Sequence, residues 1–584
     1  MSAFSGRLDR AARLALPAGA AAAEYEGCAV LFDGHLSNLA ELRRRFGAGS
    51  EEEAVAHAFR AWGRELEAHV LGEFSAVVVD RAAGRALLAH DSLGMRPLFY
   101  SRRDGGLAFA TRLADLVDGS AAEEIDDEYL ADFLALGGHT GERTPYRAIR
   151  RLLPGRGLWW SAGRLEQLDG WSLAEVEPPP PRDGAAYAGE FRELLAEAVG
   201  GALPRDGVAW TDLSGGLDSS SVTGMAALLG APGLAACSIV QPGLADADEQ
   251  PWMRAVVEHH GLPWHRLDIE SMLPFTRPPL PFLGEPDLAV MEGAQMEAKR
   301  ELFAAHGVTT RLTGYGGDLS LGQYGGSVPA HLADPLFRGR PLATLREVRA
   351  WRNGSAGDRS YTYWLLRGVA QPALDHLRGR SRMRGAEIPV QPWIRPEYVD
   401  AARFDRRSAS RYAPRCREPG RQWIADRLWT SALAMGPVSQ RDAPYDVRSP
   451  LLDRRLVEFM CTIEPGQRMR PARDRYLQRE ALRGVLPELV RNRRTKRVGS
   501  RAFVEGLRRS GDWLEFLTDE CLMAERGIAD AERWRLAVRQ AMVGQTNGDQ
   551  FFQAGVAIEA WLKQLRDRRR VSQCAIHDDR FVRL

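Results

Sequence analysis

The sequence of 584 residues is poor in lysine and cysteine. Only three of its 78 basic residues are lysine, at Lys299, Lys496 and Lys563, so each is a candidate functional group. The six cysteines are scattered, with no CxxC pair and no spacing typical of a metal site. This pattern argues against a disulfide framework or a zinc centre and fits reduced thiols in a cytoplasmic protein.

Neither a long apolar run nor an excess of one charge is present. The alanine-rich stretch 18–23 is short and is followed by Glu24, so it predicts neither a signal peptide nor a membrane span. The formal net charge is +1, and 45% of the residues are hydrophobic. This composition gives no reason to expect nucleic acid or membrane as a partner. We expect a cytoplasmic globular protein, and its length implies more than one domain.

The clearest break in the chain is a run of four prolines at 178–181. Such a run excludes helix and sheet and forms a stiff, extended connector. We therefore predict a first domain at 1–174, a linker at 175–187 and a second domain at 188–565. The basic tail at 566–584 is expected to be mobile or to depend on a partner.

The first domain is predicted to be rich in strands. An apolar strand at 28–32 is expected to end at Asp33-Gly34, a turn dipeptide. Further strands are predicted at 74–79, 86–89, 98–100 and 107–110, with a helix at 51–61.

After the linker, strands and helices alternate, which indicates a parallel, doubly wound sheet. Helices are predicted at 185–203, 220–229 and 248–260, and strands at 208–213, 235–240 and 264–269. The remainder, to about 565, is expected to be mostly helical.

A glycine loop lies between the strand at 208–213 and the next helix. It reads Ser214-Gly215-Gly216-Leu217-Asp218-Ser219-Ser220. Glycines let backbone N–H groups approach phosphate oxygens, and the helix N-terminus favours the same anion. Asp218 suits a Mg²⁺ ion that bridges phosphates, while the missing Gly-Lys-Ser/Thr ending argues against Walker-type γ-phosphoryl transfer. The loop predicts pyrophosphate binding; a merely tight strand–helix connection is the alternative.

This loop resembles the pyrophosphate-binding loop of the asparagine synthetase superfamily. The resemblance continues in order through both domains, with FDGHLSN at 32–38, DSLGMRPLFY at 91–100, RSPLLD at 448–453 and RTK at 494–496. It implies an α/β fold: a degenerate Ntn-type, glutaminase-like αββα domain, then a doubly wound ATP-pyrophosphatase (PP-loop) synthetase domain with extra helices. Members of the family adenylate a carboxylate with ATP and Mg²⁺ and release pyrophosphate, after which an amine displaces AMP.

The resemblance also implies the site residues. Mg²⁺ is expected at Asp218 and Asp318, although a solvated turn is an alternative for Asp318. Lys496 is expected to contact pyrophosphate and to stabilise charge in the amide-forming step. ATP is expected to contact Leu213, Ser214, Gly215, Gly216, Asp218, Ser219, Ser220, Ser238, Ile239, Val240 and Gly314.

The first departure from the family pattern concerns ammonia production. Glutamine-dependent members use an N-terminal cysteine, whereas this sequence begins Met1-Ser2 and its nearest cysteine, Cys28, lies in a predicted strand. A hydroxyl is a much weaker nucleophile than a thiol. The family's glutamine-gripping arginine segment has no counterpart at 14–25. We therefore expect a first domain without glutaminase activity and an amine supplied by the substrate.

The second departure is Tyr315, which stands where asparagine synthetases carry a glutamate. The tyrosine version resembles β-lactam synthetases, where tyrosine and a downstream glutamate act as the base for the attacking amine. By spacing, Glu347 is the best candidate for that partner, with Glu301 or another acid as alternatives. A phenol with a pKa of about 10 needs such a partner and nearby positive charge to accept a proton. Alternatively, Tyr315 only lines the pocket.

The departures leave three substrate classes within the superfamily. The enzyme could act as an asparagine synthetase, as a β-lactam synthetase-like enzyme that closes a ring in a small molecule, or as a macrolactam cyclase of lasso peptides. We favour the last, because the chain is long and the segment 351–384 mixes arginine with tryptophan and tyrosine, which suits a peptide or an ordinary surface helix. The expected partners are a precursor peptide, a leader peptidase and a leader-recognition protein.

Two further alternatives are disfavoured. A tRNA-thiolating enzyme shares the loop but needs a cysteine pair and a basic face, whereas Cys237 is isolated and the net charge is near zero. An inactive scaffold is disfavoured because Asp218, Asp318 and Lys496 are all retained.

Overall fold

A computed structural model of the chain describes residues 3–118, 124–136, 141–243, 248–322, 327–354, 359–379, 390–403, 413–440, 443–494, 501–545 and 550–581. Two antiparallel sheets form the centre of the first domain, in the orders β2-β1-β8-β7-β9 and β11-β10-β6-β5-β4-β3. Their strands are β1 (Ser5–Leu8), β2 (Leu14–Ala15), β3 (Ala23–Tyr25), β4 (Cys28–Leu36), β5 (Gly72–Asp80), β6 (Arg85–His90), β7 (Phe99–Arg103), β8 (Gly106–Ala110), β9 (Arg150–Arg151), β10 (Arg156–Ser161) and β11 (Arg164–Asp169).

Alternating side chains join these sheets to each other and to a layer of helices. In β5, Phe74 and Val78 face the helices, while Val77 faces the other sheet, as the two-residue period of a strand requires. The helices of the first domain are α1 (Leu39–Phe46), α2 (Glu51–Trp62), α3 (Leu66–His69) and α4 (Asp127–Leu136). Helix α4 packs in a core with Phe99 of β7 and the C-terminal helices, so the expected αββα layering is confirmed.

The expected turn at Asp33-Gly34 is wrong, because β4 continues through it to Leu36. Gly34 pairs with Phe74 of β5. It has φ of +127°, and a Cβ there would lie 2.0 Å from the Glu73 carbonyl oxygen. The glycine therefore permits a close approach of two strands instead of a reversal of the chain. The other predicted strands and the helix at 51–61 are found within a few residues of their expected ends.

The second domain is built on a parallel sheet with the order β14-β13-β12-β15-β16. Its strands are β12 (Val208–Asp212), β13 (Ala235–Val240), β14 (Trp264–Asp268), β15 (Val308–Leu312) and β16 (Asp446–Arg448), and the helices among them include α5 (Gly184–Ala202), α6 (Leu217–Leu228), α7 (Gln250–His260) and α8 (Gly293–Ala305). Helix α7 packs on the sheet face that carries Ala236, and α8 packs on the opposite face, which carries Cys237. The predicted doubly wound sheet is confirmed.

The rest of the described chain is mainly helical. Its helices are α9 (Gly317–Ser320), α10 (Ser327–Phe337), α11 (Pro341–Gly354), α12 (Tyr361–Tyr363), a π-helical segment (Trp364–Ala370), α13 (Gln371–Leu377), α14 (Pro396–Ala401), α15 (Pro419–Gln440), α16 (Arg454–Thr462), α17 (Pro465–Arg468), α18 (Tyr476–Ala481), α19 (Glu488–Arg491), α20 (Arg501–Arg509), α21 (Gly511–Thr518), α22 (Leu522–Glu525), α23 (Ala531–Met542) and α24 (Gln550–Phe581). Helix α24 extends through most of the predicted tail, so this backbone is helical. Among the described residues, no helix has the length and apolarity needed to span a membrane.

The aromatic residues of the segment 351–384 divide into two groups. Trp351 and Trp364 are buried and pack at a ring distance of 5.8 Å, so they are core residues and do not grip a ligand. Tyr361 and Tyr363 are 41% and 38% exposed, each beneath an arginine guanidinium. Part of this segment, 355–358 and 380–384, lies outside the described residues.

Candidate active site

A cavity of about 630 Å³ lies at the carboxyl ends of β12, β13 and β15. This is the position at which open, parallel sheets bind ligands, because loops and helix N-termini converge there. The residues that line it include the predicted site residues Leu213, Ser214, Gly216, Asp218, Ser219, Ile239, Gly314, Tyr315 and Asp318.

The glycine loop is held by its own serines. The Ser214 amide donates to Ser219 Oγ at 3.1 Å, and the Gly216 amide donates to Ser214 Oγ at 3.4 Å. Helix α6 then begins at Leu217 without a side-chain cap. The first turn of α6 can therefore offer backbone N–H groups to an anion in the cavity, as the pyrophosphate prediction requires.

Two glycines bring the second loop against the first. A Cβ at Gly314 would lie 2.4 Å from the Ser219 nitrogen, and a Cβ at Gly317 would lie 2.4 Å from Asp218 Cγ. Only glycine permits such close approaches. They place Asp318, in the first turn of α9, on the same side of the cavity as Asp218.

Arg475 joins the two predicted metal ligands. Its Nη2 donates to Asp218 Oδ2 at 3.1 Å and forms an ion pair with Asp318 Oδ1. Its Nη1 donates to the Gly317 carbonyl oxygen, and Gln478 Nε2 donates to Asp218 Oδ1 at 3.1 Å. The two carboxylates therefore already converge on one cationic group.

This arrangement fits a Mg²⁺ ion that is bound together with nucleotide. Asp218 and Asp318 supply hard oxygen ligands from separate loops. In the described part of the chain, no group of three or more His, Cys, Asp or Glu residues could hold a metal ion. The protein would therefore contribute these two carboxylates, and phosphate and water would complete the shell, as is usual for Mg²⁺.

A charged wall that sequence reasoning did not find lies farther along the cavity. Asp212, at the end of β12, pairs with Lys299 of α8 at 3.3 Å and accepts a hydrogen bond from Arg311 Nε at 2.9 Å. Burial opposes ionisation, but Arg311 and Lys299 outweigh it and lower the pKa of Asp212 to about 2. The scarcity of lysine had marked Lys299 as a candidate functional group, but no local sequence pattern linked it to Asp212 or Arg311.

Arg493 fixes the glycine loop from its outer side. Its Nη1 donates to the Gly215 carbonyl oxygen at 3.0 Å, and its guanidinium lies 4.1 Å from the Trp252 ring centroid and pairs with Glu249. Arg493 and Arg494 both line the cavity. They place positive charge beside the loop. Lys496, the predicted catalytic lysine, lies outside the described residues.

Tyr315 lines the cavity, but the structure does not bring Glu347 to it. Glu347 lies in α11 beside Gly466 and near Glu464 and Arg470, where burial raises its pKa. The spacing in sequence suggested that Glu347 pairs with Tyr315, but α11 does not carry Glu347 to the cavity that Tyr315 lines. Glu301, the other named candidate, is also absent from the lining.

Other groups surround Tyr315. The Tyr315 amide donates to Thr313 Oγ1 at 3.3 Å. Arg427 of α15 interacts electrostatically with Asp318 and with Tyr315, which supplies the positive charge expected beside a phenol that accepts a proton. Glu292 and Asp474 line the same cavity.

Some predicted ATP-binding residues lie behind the cavity wall. The cavity lining does not include Gly215, Ser220, Ser238 or Val240. Ser238 Oγ donates to the Leu213 carbonyl oxygen at 2.6 Å, so Ser238 orients the loop from beneath. Gly215 has φ of +69° and faces Trp252.

Cys28 is unsuited to be a glutaminase nucleophile. It is fully buried in β4, and burial raises the pKa of its thiol. Ser2 lies outside the described residues. Cys237 lines the cavity, but burial raises the pKa of its thiol to about 11. A thiolate nucleophile needs a lowered pKa, so neither cysteine has that character.

Family comparisons agree with this geometry. The asparagine synthase family matches residues 190–563, and the glutamine amidotransferase domain matches residues 18–171. The chain therefore belongs to the asparagine synthase family. Enzymes of this family are ATP-dependent, AMP-forming ligases that make amide bonds, and this chain is one of them.

Individual relatives are distant. The chain is 23% identical over 531 residues to the glutamine-hydrolysing asparagine synthetase 3 of Bacillus subtilis, covering 84% of this chain and 78% of that protein. It is 24% identical over 517 residues to the amidase chyE of Penicillium rubens, covering 79% and 74%. The solved structure of the allosteric regulatory enzyme of purine biosynthesis aligns with 44% of this chain and 63% of that chain at 13% identity, with a TM-score of 0.19.

Proposed function

We propose that the protein is a macrolactam-forming cyclase of the kind that makes lasso peptides. It adenylates the side chain of an aspartate or glutamate in a leader-cleaved precursor peptide. The N-terminal amine of the same peptide then attacks, which forms the ring and releases AMP after pyrophosphate. The working partners in this proposal are a leader peptidase and a leader-recognition protein.

The observation that carries the proposal is the position of Tyr315. It lines the cavity in the same loop as Asp318, and Arg427 interacts electrostatically with both residues. A nearby cation favours the phenolate form of tyrosine, and a phenolate can accept a proton from a substrate amine. This chemistry suits a ring closure in which acid and amine belong to one molecule.

Each part of the cavity has a role in this reaction. The glycine loop and the first turn of α6 hold the phosphates of ATP. Asp218 and Asp318 would hold Mg²⁺, which would supply screening of the phosphate charge. The substrate carboxylate attacks the α-phosphorus, and pyrophosphate leaves. The peptide amine then attacks the acyl-adenylate carbonyl carbon, and the Tyr315 phenolate accepts the amine proton and becomes a phenol as AMP leaves. Arg493 and Arg494 stabilise the departing pyrophosphate.

The size of the cavity fits a nucleotide together with the reacting ends of a peptide. At about 630 Å³ it lies within the range of about 300–1,000 Å³ that small-molecule sites occupy. It can hold the nucleotide and the reacting ends of a peptide, while the rest of the peptide lies outside.

Substrate-dependent ATP–pyrophosphate exchange tests the proposal. Leader-cleaved peptides with an internal aspartate or glutamate should stimulate exchange, and the same peptides with asparagine or glutamine at that position should not. Free aspartate is the matched control, because the names of the bacterial relatives make asparagine synthesis the second candidate. Exchange with free aspartate alone would support that candidate, and exchange with a small β-amino acid alone would support β-lactam synthetase-like chemistry.

A further inference from the structure

We propose that the amidotransferase-like domain positions the Tyr315 loop of the synthetase domain, and that Glu73 and Arg96 are the positioning residues. This role needs no glutamine hydrolysis. It also does not depend on which acid and amine the enzyme joins, so it stands apart from the proposed cyclase activity.

The contact begins at the edge strand of the synthetase sheet. Arg96 of the first domain is 1% exposed, and its Nη2 pairs with Asp446 and donates to the Val447 carbonyl oxygen at 3.3 Å. Both residues belong to β16, and Val447 lines the cavity. One side chain of the first domain therefore holds a strand that forms part of the active-site wall.

Glu73 makes a second contact just beyond β16. The Ser449 amide donates to Glu73 Oε1 at 2.5 Å, and both residues are buried. A buried amide without this acceptor would lose its hydrogen bond in a site that excludes water, so the contact constrains where Ser449 can lie.

From Ser449 the hydrogen bonds continue to Tyr315. Ser449 Oγ lies 3.1 Å from Thr313 Oγ1, and the Tyr315 amide donates to the same Thr313 oxygen at 3.3 Å. The Thr313 amide also donates to the Arg448 carbonyl oxygen at 2.9 Å. A continuous series of hydrogen bonds thus joins Glu73 of one domain to the loop that carries Tyr315 and Asp318 in the other.

Arg96 is unsuited to a first test because its positive charge also neutralises the buried carboxylates around it. Asp446, Asp33 and Glu73 raise its pKa against the effect of burial. Removing the shared cation would leave buried carboxylates facing one another, which is strongly destabilising. The sharper variants are therefore Glu73→Ala, Glu73→Gln and Ser449→Ala.

The test combines hydrogen–deuterium exchange with binding of Mg²⁺ and mant-ATP, a fluorescent ATP analogue, to the full chain. We expect Glu73→Ala to speed amide exchange at 313–318 and to weaken mant-ATP binding by about three- to tenfold, the worth of one ordinary hydrogen bond. Glu73→Gln keeps an acceptor oxygen and should restore both. Ser449→Ala breaks the link to Thr313 and should loosen the same amides.

The matched control is Arg205→Ala. Arg205 Nη1 donates to the Gly49 carbonyl oxygen at 2.9 Å, so it also crosses between domains but touches neither β16 nor the cavity. It should leave both readouts unchanged. Native-like protection at 313–318 in folded Glu73→Ala or Ser449→Ala would overturn the proposal. Equal loosening by Arg205→Ala would also overturn it, because any weakened domain contact would then suffice.

Discussion

Asp218 and Asp318 come from different loops, yet their carboxylates meet at the same nitrogen, Nη2 of Arg475. The guanidinium therefore contacts both of the carboxylates that are predicted to hold a divalent cation. Arg475 therefore balances two acids whose repulsion would otherwise separate the loops.

Replacement of that arginine should change metal binding in a specific direction. Arg475→Gln removes the shared positive charge, so we expect Mn²⁺ without nucleotide to bind about tenfold more tightly, as measured by electron paramagnetic resonance titration. Catalysis should fall, because the loops lose their link. Arg205→Gln is the control, and an unchanged Mn²⁺ affinity in Arg475→Gln would contradict the convergence of the two carboxylates.

Loss of a proposed metal ligand should strongly reduce adenylation without unfolding the protein. Asp218→Asn should lower ATP–pyrophosphate exchange by roughly a hundredfold or more, because the metal no longer screens the phosphates. The exposed Asp169, at the end of β11, gives the control Asp169→Asn. Wild-type exchange in Asp218→Asn would exclude this carboxylate from the metal site.

Tyr315→Phe should separate the two half-reactions. Adenylation does not use the phenol, so pyrophosphate exchange should persist, whereas amide formation should fall by about 10²- to 10⁴-fold, the usual contribution of a general base. Glu347→Gln is the informative comparison, because Glu347 lies beside Gly466 and away from the cavity. We expect it to keep amide formation within a few-fold of the parent; a loss equal to that of Tyr315→Phe would restore Glu347 as its partner.

Buried Glu67 should make stability depend on pH. Burial raises its pKa from the ordinary 4.5 to about 8, so the folded state holds a proton that the unfolded state releases. Its contribution to stability is therefore lost as pH rises from about 4.5 to about 8. Glu67→Gln cannot ionise, so relative to the parent it should gain about 1–3 kcal/mol between pH 5 and pH 8. Thermal unfolding of both proteins across that range measures the difference; parallel curves would contradict a protonated Glu67.

The local elements could be predicted from sequence because periodicity and turn residues determine them. The strand–loop–helix unit around Ser214 was found this way. Long-range geometry could not be predicted. Arg475 lies just before α18, with φ of +52°, and is 257 residues from Asp218 in the sequence. No local pattern therefore marks Arg475 as the partner of Asp218 and Asp318. Asp33-Gly34 is compatible with a turn or a close strand pair, and only the pairing with β5 decides between them.

The most direct measurement of the central claim is mass spectrometry of a leader-cleaved precursor peptide incubated with the enzyme, ATP and Mg²⁺. We expect a product lighter by one water, about 18 Da, that resists N-terminal labelling, with AMP and pyrophosphate formed in equal amounts. Conversion of free aspartate to asparagine with ammonia, and no change in any peptide, would contradict it.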